Sequence, residues 1–182
     1  MQTYLEKGLE QHCDMIAYHE AGHAIVGNAH GIEILSISLE PKAFELHGEI
    51  NLICHTQALG VTFGGDDIAA LFRRKNRRRA EVQMTMDVAG CLAETMYCPE
   101  RRMLDRSEFD ISRARALAQR YAPKGRSDGE RYLNVLIKRA RRILQKRWDQ
   151  VKRLATALQK RRVLSGDEMR ILISKGSGKR AK

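Results

Sequence analysis

Between Leu133 and Leu158 the chain repeats apolar residues at helical spacing. Leu133, Leu136, Ile137, Ala140, Ile143, Leu144, Trp148, Val151, Leu154, Ala155 and Leu158 form one continuous stripe, and the opposite face is crowded with Lys and Arg. A stripe of this period belongs to a helix that buries one face against other elements. The same period recurs upstream in Val82, Met86, Ala89, Leu92, Ala93 and Met96, ended by Pro99. It returns in Ile111, Ala114, Ala118 and Tyr121, on a helix starting near Ser107. Residues 12–30 also read as a helix, and the chain reads as helix again from Asp66 onward. "APKGRSDG" (122–129) is a turn-rich loop.

Strand patterns are confined to one region. "IEILSISLEP" (32–41) alternates and is expected to stop at Pro41. "GEINLIC" (48–54) and "ALGVTF" (58–63) are further short strands, closed by Gly64-Gly65. Near the end, Ser165 and Glu168 are spaced as a capping box that starts a last short helix. The expected fold class is therefore α+β and mainly helical, with a small β-rich segment and a C-terminal helical bundle. Residues 1–172 are assigned to one domain and 173–182, "SKGSGKRAK" with its neighbour, to a basic flexible tail.

Within the first helix stands "YHEAGHA" (18–24). Residues four apart share a helix face, so His19 and His23 can present two imidazoles to one metal ion. Glu20 lies about 100° further round the axis, placed to reach water at the metal rather than the metal itself. This is the HExxH pattern of zinc hydrolases, with the Glu as general base. An ordinary helix with two unrelated histidines satisfies the same spacing. Gly22, inside an apolar helix, costs about 1 kcal/mol relative to Ala. With Ala21 it would let another element pack close beside the ligands. A catalytic zinc takes three protein ligands and leaves a position open. His12, His30, His47, His55 and the cysteines are formal candidates for the third. His12 and His30 each lie two helical turns from the nearer motif histidine, too far in a straight helix. Acidic residues are the stronger candidates.

"AYHEAGHAIVG" resembles the signature of the peptidase domain of the FtsH family, membrane-anchored and ATP-dependent zinc proteases. The likeness continues, in family order, through "SISLEP", "ALGVTF", "DVAGCLAETMY", "SEFDISRARALAQRY" and "RLATALQKRRVLSGDEMRIL". It spans about Asp14 to Leu172. It implies a zincin-like peptidase fold, a zinc ion (Zn²⁺) bound by His19, His23 and Asp110, and Glu20 as general base. Read locally, Asp110 also fits a capping box with Ser107, and its spacing to Ala114 puts it near a buried face. Glu94 is the rival third ligand. It is read instead as a group that orients a ligand histidine or forms a salt bridge.

The chain departs from the family pattern in having no GxxxxGK[ST] loop and no apolar run long enough to span a bilayer. "HGEINLICH" is an apparent extra strand segment. The expectation is a stand-alone zinc endopeptidase acting on peptide or unfolded protein. A peptidase subunit serving a separate ATPase is an alternative, and homo-oligomer formation, usual in the family, is in doubt. A second alternative rests on charge. The net charge is +11, with basic runs at 73–79, 138–142 and 160–162. These fit a module docking nucleic acid or an acidic protein. They fit solvated helix faces better, since no aromatics are interleaved for base stacking. With no apparent signal peptide and no CxxC pair among Cys13, Cys54, Cys91 and Cys98, a reducing, cytoplasmic setting is expected.

Overall fold

The structure is a computed structural model that describes residues 2–46, 49–58, 77–100, 105–123 and 128–174. The described chain is mainly helical with one small sheet. The order is α1 (Gln2–Ala29), β1 (Ile34–Leu46), β2 (Glu49–Ala58), α2 (Arg77–Tyr97), α3 (Asp105–Tyr121), α4 (Gly129–Lys146), α5 (Trp148–Arg161), β3 (Val163–Ser165) and α6 (Gly166–Ser174). No helix among the described residues is long and apolar enough to cross a membrane.

The centre of the molecule is the pair α1 and α2. Ala17, Ala21, Ala24 and Ile25 of α1 are fully buried, as are Met84, Met86, Ala89 and Ala93 of α2. The two axes approach closely at Gly22. A Cβ there would lie 2.7 Å from the Ala89 carbonyl oxygen and 2.8 Å from the Ala93 Cβ. The missing side chain at Gly22 is thus a packing requirement, as its cost in a helix implied. α1 begins at Gln2, ten residues before the expected start, through good helix formers such as Leu5, Glu6 and Lys7. It ends at Ala29, and Gly31 just beyond it takes the left-handed φ of +75° that stops a helix. The amides of His30 and Ile32 return to Val26 and Gly27 carbonyls there.

The long stripe is not one helix. It breaks at Arg147, whose φ/ψ of −116°/21° is not helical. The Arg147 N–H still bonds to the Ile143 and Leu144 carbonyls, and its own carbonyl accepts from Gln150 and Val151. The break costs few hydrogen bonds and re-aims the apolar face. α4 buries Leu133, Leu136, Ala140 and Leu144 and packs on α2. α5 buries Val151, Leu154, Ala155 and Leu158 and packs on α1. A straight helix could not cover both partners.

The sheet has order β2-β1-β3 and is antiparallel throughout. β1 does not stop at Pro41 but runs on to Leu46, paired with β2. The register slips between Ser38, opposite His55, and Lys42, opposite Ile53, so Pro41 stands in a bulge. On the other side β3 pairs only with Ser36 to Ser38, and the Leu39 N–H reaches the Arg162 carbonyl. Beyond Leu39 a proline therefore removes no ladder bond on that side. The extra segment after it is real structure: β2 is the hairpin partner of β1, longer than the 48–54 strand expected. Residues 59–76, which include most of the "ALGVTF" strand, Gly64-Gly65 and the start of the helix from Asp66, lie outside the described residues.

The Ser165/Glu168 capping box is formed. The Ser165 N–H donates to Glu168 Oε2 at 2.9 Å, and the Glu168 N–H to Ser165 Oγ at 3.3 Å. α6 runs to Ser174, two residues into the segment assigned to the tail, and 175–182 lie outside the described residues.

Candidate metal centre

α1 brings His19, Glu20 and His23 against α2, and α3 brings Asp110 to the same point. The side chains that meet here are almost wholly buried: His19 2%, His23 3%, Glu94 1% and Asp110 8% exposed. Three atoms converge. His19 Nε2 and His23 Nε2 are 2.8 Å apart. Asp110 Oδ2 lies 3.2 Å from the first and 3.3 Å from the second.

The tautomers follow from the outer partners. His19 Nδ1 donates to Glu94 Oε1 at 2.6 Å, and His23 Nδ1 donates to the Met86 carbonyl at 2.8 Å. A carboxylate and a carbonyl only accept, so each Nδ1 carries the hydrogen and each Nε2 is left with a lone pair. Two lone pairs and a carboxylate oxygen thus face one another at hydrogen-bond distance. That arrangement is repulsive unless a positive species lies among them. A proton on an imidazole meets that need without a metal. Burial alone pulls the His19 pKa down, but the Asp110 and Glu94 carboxylates outweigh it and raise it to about 10. Burial pushes Asp110 the other way from its neighbours, yet the two histidines hold its carboxyl far below the usual range.

The donor set also fits a divalent cation. Two imidazole nitrogens and a carboxylate oxygen are zinc ligands, and bonds of about 2.0–2.1 Å to a tetrahedral ion place ligand atoms roughly 3.3 Å apart. The two contacts of Asp110 have that length already. The histidine pair needs about 0.5 Å more, a small rotation about Cα–Cβ. The Asp110, Glu94 and Glu20 carboxylates all act on the His19 imidazole, and one guanidinium, Arg113, pairs with the far oxygen of Asp110.

The structure brings five of the residues the sequence singled out to one place: His19, His23 and Asp110 at the point of convergence, Glu20 beside them, and Glu94 against His19. Glu94 stands outside the trio and accepts from His19 Nδ1, the contact expected of a group that orients a histidine. The capping box at Asp110 is corrected. α3 already starts at Asp105, which places Ser107 inside the helix, and both Asp110 oxygens are engaged by His19, His23 and Arg113. His30 ends α1 half-buried and is not part of the cluster. The side chains of His12, His47 and His55 lie outside the described residues.

Three contributors were not foreseen. Gly90 is one: a Cβ there would fall 2.6–2.7 Å from the ring atoms of His19. Asp87 and Arg113 are the others. Arg113 Nε donates to Asp87 Oδ2 at 3.0 Å, and Nη2 donates to Asp87 Oδ1 at 2.7 Å and Asp110 Oδ1 at 2.8 Å. The signal was an Asp within the apolar run "MTMDVAGCLA" and an Arg beside Ala114. Charges so placed need a buried partner.

Of the basic runs, Lys138, Arg139, Arg141 and Arg142 of α4 are exposed around the buried Ala140. Arg161 pairs with Glu168 at 2.8 Å. Residues 73–76 lie outside the described residues. No protein-family model matches the chain, and no curated protein matches its sequence.

Proposed function

We propose that the chain is a zinc-dependent endopeptidase, similar to the peptidase domain of the FtsH family, that hydrolyses peptide bonds in loose or unfolded polypeptides. One observation carries the reading: His19 Nε2, His23 Nε2 and Asp110 Oδ2 converge from two helices, with their outer atoms already bonded and Glu20 adjacent. When bound, a zinc ion supplies Lewis acidity, bringing water toward a neutral pKa and polarising the scissile carbonyl. Glu20 takes the proton of the attacking water and passes it to the leaving amine. Glu94 and the Met86 carbonyl fix the two imidazoles so that neither ring turns its donor inward. Burial of the cluster lowers the local dielectric, which strengthens each of these interactions. A docking module would have no use for a buried Glu at position 20.

Metal analysis of the purified protein and casein cleavage by wild type and Glu20→Gln test this. The expected result is about one zinc per chain in both proteins, with cleavage by the variant slower by about 10²–10⁴-fold. Absence of bound metal, or equal cleavage by the two, would overturn it. Cleavage that needs an added ATPase would make the chain a peptidase subunit.

A further inference from the structure

We infer that Arg113, locked in place by Asp87, holds Asp110 as a one-oxygen ligand and so keeps one coordination position open; this rests on the zinc reading above. A carboxylate can bind a metal through one oxygen or both. With His19 and His23, a two-oxygen Asp110 would fill a tetrahedral ion and leave no place for water. Here the two oxygens are divided. Oδ2 faces the histidines at 3.2 and 3.3 Å, while Oδ1 accepts from Arg113 Nη2 at 2.8 Å.

The guanidinium can hold that oxygen because it is itself fixed. Its Nε and Nη2 grip both oxygens of Asp87, in the planar fork geometry specific to Arg. Nη2 has two hydrogens, one for Asp87 Oδ1 and one for Asp110 Oδ1. Gln83 Nε2 donates to Asp87 Oδ1 at 2.5 Å, and the guanidinium carbon stands 5.4 Å from the Phe109 ring centroid. Arg113 is 5% exposed and Asp87 is fully buried, so water does not compete for these contacts. Asp87 also follows Met86, whose carbonyl fixes His23. Successive residues of α2 therefore set the direction of two of the three ligands, and Glu94 on the same helix sets the third. Arg113 is a positioning residue: it acts through Asp110.

The test separates positioning from a mere tie between α2 and α3. In Asp87→Leu/Arg113→Met both members of the buried pair leave together, so neither charge is stranded and the fold is kept. Zinc affinity is read by competition with a chromophoric chelator, and coordination by the visible absorption of the cobalt(II)-substituted protein. Wild type is expected to give the intense bands of four-coordinate cobalt. The double variant should bind zinc about 10–100-fold more weakly and give cobalt bands shifted in position, as the second oxygen of Asp110 takes the place of water. Arg113→Lys keeps the buried charge but cannot fork, and should shift both readouts the same way by less. It decides the matter alone if the double variant loses its cooperative melt. Wild-type affinity and an unchanged cobalt spectrum in the folded variants overturn the proposal while leaving the zinc site intact. A wild-type protein that binds neither metal overturns both.

Discussion

A methyl group at position 90 is the smallest change that reaches the site. The Cβ of Gly90→Ala would press on the ring of His19, which Glu94 holds through Nδ1 at 2.6 Å. In an isolated helix Ala is favoured over Gly by about 1 kcal/mol. Overpacking of a filled core costs about 1–3 kcal/mol, so the net change in stability is small while the imidazole is displaced. Gly90→Ala is expected to fold and to bind zinc about 10–100-fold more weakly. An unchanged affinity in the chelator assay would show that the ring has room to move. The proton on His19 gives a second prediction, for protein stripped of metal. Its folded pKa is raised from 6.5 to about 10. A raised pKa means that the folded state holds the proton more tightly than the unfolded chain does. Its stabilisation is full below pH 6.5 and is lost as pH climbs to about 10. Thermal melts in chelator should therefore fall across that window. Bound zinc replaces the proton, so melts of the loaded protein should be flatter there. Stripped protein that melts at one temperature throughout the window would contradict the shift.

The elements were legible in proportion to how local their causes are. Helical spacing located α2, α3 and the joint span of α4 and α5, read as one helix, and the Ser165/Glu168 pair located the start of α6, because each depends on neighbours within a turn. The break at Arg147 was hidden. The apolar stripe runs through it without a Gly or Pro, and its cause is that α4 and α5 lie on different partners. Pro41 misled for a related reason. It ends most strands, but here the ladder on one side has already stopped and a bulge absorbs it on the other. At the site, the HExxH spacing is a property of one helix and was visible. The Asp87 to Arg113 contact joins α2 to α3 and needs the packed structure. So does the reason for Gly22, though its cost hinted at one. Gly22→Ala tests that reason at the level of two helices. Its Cβ would meet the backbone oxygen of Ala89, which cannot swing aside, and α1 must move off α2. The gain in helix propensity, about 1 kcal/mol, is expected to be outweighed by a packing loss of about 1–3 kcal/mol. Urea unfolding should show a lower midpoint than wild type. A higher midpoint would mean that the interface accommodates a methyl group.

At the scale of the molecule, the site is where three helices are tied together. The three converging side chains stand on α1 and α3, and Glu94, the Met86 carbonyl and Asp87, which fix their surroundings, stand on α2, which packs on both and on α4. Metal cannot bind this trio once α3 has left α1, so binding energy at the site is stability of the whole described core. At free zinc one hundred times the dissociation constant, the stabilisation is about 2.7 kcal/mol. For a chain of 182 residues that is a rise in Tm of roughly 5–10 °C, growing with the logarithm of zinc concentration. Glu20→Gln leaves the three ligand atoms untouched and should keep the full rise. Asp110→Asn preserves the volume and an acceptor for Arg113 but removes the anionic oxygen between the histidines. Its rise should shrink by most of its value. The comparison is specific because the sequence holds other zinc-binding residue types, among them four cysteines. Equal rises in wild type and Asp110→Asn would place the stabilising ion at such donors and not between His19 and His23. A rise confined to proteins with an intact trio would tie the stability of the helical core to the same three atoms on which the proposed chemistry rests.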